Sequence, residues 1–254
     1  MKKITFAFFL LAFVPHIWGQ SANKRVLLYS RAARYYHESI PDGVKAIQKL
    51  GSENHIDVDS ITDSLYFTDA NLKKYAAIIF LNTSGNPLNA EHKRAVERFI
   101  RAGGGFVGIH CAAATFNRLP SGTEPAWPWY FQLLGAAFTN HPAPQPAVFE
   151  VADRNDPSTR HLPARWSRTE ELYNFKDIQP DIHVVLKVDE STYKGGENGV
   201  SHPMAWYHEF DGGRSFYTAL GHFPEAYADT EFMKHLLGGI QYAMGKNVVL
   251  KYKK

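Results

Sequence analysis

The stretch Gly103-Gly104-Gly105-Phe106-Val107-Gly108-Ile109-His110-Cys111-Ala112-Ala113-Ala114-Thr115 runs from a glycine cluster into a short apolar strand and stops at a histidine followed by small residues. That order suits a tight strand-to-helix turn. Such a turn lifts one side chain above the carboxyl end of an α/β sheet and exposes backbone N–H groups where the helix starts. The apex is ordinarily a nucleophile. Here it is His110, with the chain's single cysteine, Cys111, one place later.

Upstream of this turn, strand and helix signals alternate. Residues 24–30 form an apolar run suited to a central strand, and 39–50 carry Ile40, Val44, Ile47 and Leu50 at helical spacing, with Gly51 as a stop signal. Residues 55–61 alternate with period two, while 75–81 are apolar throughout, as in a strand covered on both faces. Asn89 is placed to cap a helix through Arg101, with Ala95, Val96, Phe99 and Ile100 as its buried stripe. This rhythm predicts a parallel, helix-covered sheet with right-handed crossovers. Downstream, residues 127–227 are rich in Trp, Tyr, His, Pro and Gly. Strands are expected at 147–151, 183–188, 204–210 and 215–220, a glycine-rich turn at 194–199 and a closing helix at 231–244. No repeat or linker divides the chain, so the downstream part reads as elaboration of one domain around a pocket.

Composition narrows the classes. Lys2 and Lys3, the apolar run 4–14 and Trp18-Gly19-Gln20-Ser21-Ala22 have the layout of a secretory signal cleaved near residues 19–22, with a membrane-tethered N-terminus as the alternative. The expected division is therefore a signal peptide, 1–22, and one α/β domain, 23–254, in the periplasm or outside the cell. Removing Lys2 and Lys3 takes the formal charge from +3 to +1. A near-neutral chain has no electrostatic footprint for nucleic acid or an anionic membrane. One cysteine cannot form an internal disulfide, so stability must come from the core.

Several blocks resemble the ThuA-like (trehalose-utilisation) family. They are GGGFVGIHCAAATF, WPWYFQLLGAAFTNHP with a later Gln145, EELYNF, HPMAWYHEFDGGRSFYTALGH and HLLGGIQYA, with YHESIPDG and YAAIIFLNTSG at the front. The resemblance spans residues 24–245. It implies a flavodoxin-like, doubly wound, mostly parallel sheet in a single domain, similar to class I glutamine amidotransferases. It also implies an association with sugar catabolism, particularly of disaccharides oxidised at the 3-position. Amidotransferases place a cysteine in a Gly-Ile-Cys elbow and a histidine in a late His-Pro-Glu stretch. This chain has Gly108-Ile109-His110 at the first place, and Gly221-His222-Phe223-Pro224-Glu225 resembles the second with one residue inserted. The thiolate that glutamine hydrolysis needs is therefore replaced by an imidazole, which argues against amidotransferase activity. The alternative register has Cys111 as nucleophile and His222 as base.

An imidazole titrates near neutral pH and moves protons, so His110 and His222 are the candidate catalytic pair. Loops at the carboxyl ends of strands should bring His37, Asn82 and Thr83 beside them. His141 in Asn-His-Pro, and Glu171 with Tyr173 in the EELYNF block, are further candidates for substrate binding, whereas Glu170 reads as part of a solvated turn. Period-two alternation puts His202, Met204, Trp206 and His208 on one strand face. Trp206 and His208 are assigned to the site and Glu209, opposite, to structure. Asp211-Gly212-Gly213 reads as a hairpin connection. Trp127, Trp129, Tyr130, Tyr173, Trp206 and Tyr207 offer flat faces of the kind that stack on sugar C–H groups, or ordinary core packing.

Metal binding is the rival chemistry. His37, His110, His141, His208 and His222 are enough imidazoles to surround an ion, but no His-x-His, HExxH or paired-cysteine spacing occurs. No metal or cofactor is therefore expected, with a divalent ion as the alternative. The expected function is acid–base chemistry on a sugar or 3-keto glycoside, with small-molecule carbohydrate as partner. The alternatives are a non-catalytic carbohydrate-binding protein, a metal-dependent sugar isomerase or hydrolase, and a cysteine hydrolase.

Overall fold

The computed structural model describes residues 23–117, 127–246 and 248–252; the expected export segment, 1–22, lies outside them. The upstream half alternates β1 (Lys24–Tyr29), α1 (Ile40–Glu53), β2 (Ile56–Ile61), the single turn α2 (Asp69–Leu72), β3 (Ala77–Leu81), α3 (Ala90–Arg101) and β4 (Gly105–Ile109). Then follow α4 (Pro128–Leu134), β5 (Ala137–Phe138), β6 (Gln145–Val151), β7 (Arg165–Glu170), β8 (Phe175–Lys176) and β9 (His183–Val188). The chain closes with β10 (Pro203–Phe210), β11 (Gly213–Thr218) and α5 (Thr230–Met244). Nine strands form one sheet in the order β2-β1-β3-β4-β11-β10-β9-β6-β7, and β5 pairs with β8 apart from it.

The first five strands in that order are parallel and the other four extend the sheet antiparallel. The parallel part has the flavodoxin-like order, and the whole is a mostly parallel α/β single domain, as the resemblance implies. Strands β3 and β4 are buried at every position, which their unbroken apolar sequence requires of strands with helices on both faces. Because β1→β2 and β3→β4 move in opposite directions along the sheet, right-handed crossovers place α1 and α3 on opposite faces. Helix α5 packs with α1 and over β3, β4 and β11.

Three local expectations are corrected. Gly51 does not stop α1 but lies inside it, where a Cβ would sit 2.4 Å from Val58 Cγ2 and 2.6 Å from the Ile56 carbonyl oxygen. The small residues after His110 make a 3-10 turn, His110–Ala114, rather than an α-helix. The late strand is Gly213–Thr218, two residues earlier than expected, because Asp211 and Gly212 (φ 49° and 91°) form the tight β10–β11 connection. Among the described residues no helix is long and apolar enough to cross a membrane.

Candidate functional site

The parallel strands end level with one another. Ile109 is in register with Leu81 on one side and Thr218 on the other. The residues that follow are therefore neighbours: Asn82 after β3, His110 after β4, and the Ala219–His222 segment after β11, with His37 reached by the loop after β1. His110 has φ 47°, in the left-handed region that a β-strand residue avoids. Two backbone contacts hold it there: its Nδ1–H donates to Ala219 O (2.8 Å), and Tyr217 O–H donates to His110 O (2.9 Å). With Nδ1 so engaged, the neutral ring carries its lone pair on Nε2.

That Nε2 lies 3.2 Å from His222 Nδ1 and 3.3 Å from Glu171 Oε2, and His222 Nδ1 is also 3.3 Å from Glu171 Oε2. The other carboxylate oxygen of Glu171 is 3.2 Å from Nδ1 of the half-exposed His141. The His37 ring stands edge-on to both His110 (centroids 4.9 Å) and His222 (5.2 Å). His37, His110, Glu171 and His222 each offer one donor atom, and these four lie within 4.8 Å of one another, a group of the kind that can hold a metal ion. His37 is 97% buried, yet among the described residues neither of its ring nitrogens has a hydrogen-bond partner.

The electrostatics follow from this crowding. Burial, reinforced by His110 and His222, pushes His37 down to about 3, so its imidazole is neutral. Burial alone would raise Glu171, but the hydrogen bonds with His110 and His222 outweigh it and hold the carboxyl well below its usual range. Burial pushes the Cys111 thiol up to about 12. A thiol in that state is not a nucleophile at neutral pH, so the Cys111 register lacks the thiolate it needs.

A second layer fixes the cluster. Glu170, far from lying in a solvated turn, is fully buried. It pairs with Arg168 (2.8 Å) and accepts from Gly221 N–H (3.2 Å) and His222 N–H (3.4 Å). The adjacent carboxylates divide the work: Glu170 holds the backbone at 221–222 and Glu171 meets the imidazoles. Gly221 has φ 105°, which a side chain would strain. Asn82 donates to Ser39 Oγ (3.0 Å) and Gly221 O (3.2 Å) and accepts from Cys111 N–H (3.3 Å), tying three loops together. Thr83 is bonded to Thr115 (2.8 Å). Asn82 and Thr83 are thus buried struts beneath the site. The Tyr173 ring lies against His110 (4.4 Å) and His141 (5.6 Å), while its carbonyl meets His202 Nε2 (2.8 Å), whose Nδ1 meets Glu190 (2.8 Å).

Two expected site residues lie elsewhere. Trp206 is buried and donates to Leu134 O, and His208 Nε2 is bonded to Leu133 O. Strand β10 is covered on both faces, so its inward side meets core, and His208 pairs with Ser215, beside Phe106 near the start of β4. Trp127 and Trp129 are likewise engaged, donating to Glu97 and Asp211, and the hydroxyl of Tyr130 donates to Ala112 O. Glu225, in the His-Phe-Pro-Glu stretch, is exposed, so the carboxylate beside His222 is Glu171 instead.

A cavity of about 360 Å³ opens beside the cluster, lined by Tyr35, His37, Phe138, His141, Glu171 and Tyr173 among others. It is of a size for a small ligand, with ring faces next to polar edges. A larger one, about 600 Å³, lies where Lys24 and Arg214 meet the end of α5, but those cations are bonded to backbone carbonyls there and no such cluster faces it. The candidate site is therefore the cavity beside the cluster.

The sequence profile of the family described as ThuA, trehalose utilisation, matches residues 25–243. Among solved structures, a protein described as ThuA-like from Bacteroides uniformis is 25% identical, with a TM-score of 0.73 over 91% of this chain and 95% of its own. A second ThuA-like protein, from Parabacteroides merdae, is 19% identical, with a TM-score of 0.72 over 90% and 92%. A protein described as a GMP synthase subunit, from Thermoplasma acidophilum, shares the fold at 10% identity, with a TM-score of 0.52 over 87% and 94%. No curated protein matches the sequence.

Proposed function

Since the chain belongs to the ThuA, trehalose-utilisation, family, with the carbohydrate-related role that this suggests, we propose that it is an enzyme of sugar catabolism that moves a proton at the carbon beside a sugar carbonyl. The observation that carries this reading is the His110–Glu171–His222 cluster, three proton-handling groups within 3.3 Å of one another beside an aromatic-lined cavity. A carbonyl acidifies the adjacent C–H, so a neutral imidazole suffices as base. In the cation-free cluster His110 Nε2, its lone pair directed inward, takes that proton and His222 protonates the developing oxyanion. Glu171 stabilises whichever imidazole is charged. Isomerisation, elimination or cleavage of a glycosidic bond all begin from this step. The substrate class that fits is a 3-keto glycoside, with Tyr35, Phe138 and Tyr173 as stacking faces. Export to the periplasm or beyond is part of the reading and rests on residues 1–22 alone.

The test is incubation of the purified protein with a panel of plain and 3-keto glycosides, read by mass spectrometry. The wild type should convert at least one keto glycoside. His110→Ala should lose turnover by on the order of 10²–10⁴-fold, as removal of a positioned acid–base group does, while Cys111→Ala keeps it. Sugar binding by calorimetry without conversion would favour a binding protein, and inactivation by thiol alkylation would revive Cys111.

A further inference from the structure

The cluster contains more lone pairs than protons. With both imidazoles neutral, the Nδ1–H that His110 gives to Ala219 O leaves a lone pair on its Nε2, facing a Glu171 carboxylate oxygen that is also an acceptor. One proton on His222 Nδ1 lies along the line to His110 or to Glu171, and leaves the His110–Glu171 contact of 3.3 Å as two acceptors facing each other. His37 adds a buried ring with no hydrogen-bond partner for either nitrogen among the described residues. A single positive charge at the centre satisfies all of these atoms at once.

The distances have the matching scale. Tetrahedral coordination at metal–ligand distances of about 2.0–2.1 Å sets ligand atoms about 3.3 Å apart. The three separations among His110 Nε2, His222 Nδ1 and Glu171 Oε2 are 3.2, 3.3 and 3.3 Å. The outer contacts are of the kind that orient metal ligands: Ala219 O on His110 Nδ1, and His141 on the second oxygen of Glu171. We propose that His110, His222 and Glu171 bind a divalent first-row transition ion, with His37 as the fourth ligand. An imidazole–carboxylate set suits zinc and its neighbours in the series better than magnesium or calcium. Spacing rules miss the site because its four ligands come from four separate loops.

This deepens the sugar reading and rests on it only for the identity of the reactant. With the ion present, His110 Nε2 is a ligand rather than a base. An ion held there would supply Lewis-acid polarisation of the sugar carbonyl oxygen.

The test uses the whole protein, stripped with chelator and titrated with zinc(II) by calorimetry and with cobalt(II) by visible absorption, in the absence of sugar. One ion per chain and a four-coordinate cobalt spectrum are expected. Glu171→Gln and His110→Ala should weaken binding at least about 100-fold, beyond what loss of an outer-shell group costs. His37→Gln, which removes no hydrogen bond found among the described residues and whose fold is checked by its unfolding midpoint, should weaken it about tenfold and alter the cobalt spectrum. His183→Ala, at the exposed His183–Asp153 pair, should change nothing. Binding that is absent, that survives in Glu171→Gln and His37→Gln alike, or that is lost only in His183→Ala overturns the proposal. The two readings fail separately. An ion bound with no glycoside converted sinks the sugar reading alone, and full conversion by metal-free protein sinks the ion alone.

Discussion

Glu170 and Glu171 are adjacent, yet they face different tasks, and the first can be tested without touching the reacting atoms. Glu170→Gln leaves Arg168 with Asp229 (3.3 Å) as its one carboxylate partner among the described residues and weakens the acceptor that serves the Gly221 and His222 N–H groups. A buried ion pair that loses one partner costs about 3 kcal/mol, and denaturant unfolding should show a loss of that order. An unchanged midpoint would show that Arg168 and the 221–222 backbone are held by other contacts. At this scale the sequence is partly legible. The ends of apolar runs put His37, His110 and His222 at strand ends, and Glu171 comes from the family blocks. Glu170 escapes a sequence reading although Trp166, Arg168 and Glu170 alternate along one side of β7, a face-sharing pattern that pairs Arg168 with Glu170. Trp206 and His208 are misassigned by alternation because it identifies a face but not what covers it. The proposed ion site is partly legible: His37, His110 and His222 stand among the imidazoles that the sequence offers an ion, but lone-pair counting requires knowing which nitrogen meets Ala219 O.

At the scale of elements, the upstream strands and helices are readable from periodicity because each is buried on one stripe or on both faces. Asn89 does cap α3, its side chain accepting from His92 N–H. Elements β5, β7, β8 and α4 give no such signal. Two of them are two residues long, and β7 alternates exposed and half-buried residues with little apolar content. Gly51 shows how a breaker residue serves packing instead. Alanine there gains about 1 kcal/mol of helix propensity but must displace the Ile56 carbonyl, which belongs to β2 and cannot move alone. Overpacking of this kind costs about 1–3 kcal/mol. Gly51→Ala should therefore lower stability by about 1 kcal/mol in chemical denaturation, whereas a gain would mean that β2 yields at its first residue.

For the whole molecule, the order β2-β1-β3-β4-β11 brings four loops to one end of the sheet, while α5 closes the side near His235. His235 is fully buried between Ser158 O (2.9 Å) and Thr218 Oγ1 (3.1 Å), with His161 and Arg168 as the charged groups facing it. Burial chiefly lowers it from 6.5 to about 4. The unfolded chain binds a proton below pH 6.5 that the native protein refuses, so this contribution is complete above 6.5 and is lost as pH falls toward 4. The loss is about 3 kcal/mol. Urea titrations at pH 7 and pH 4.5 should show it in the wild type and a smaller change in His235→Gln; equal slopes would place the acid sensitivity elsewhere. Proton transfer beside the sugar carbonyl is tested most directly by incubation with a 3-keto glycoside in D₂O, read by NMR at that carbon. Deuterium incorporation or product labelled there is expected with the wild type, and none above the uncatalysed rate with His110→Ala. Conversion without exchange at that carbon, or equal exchange by His110→Ala, would contradict it.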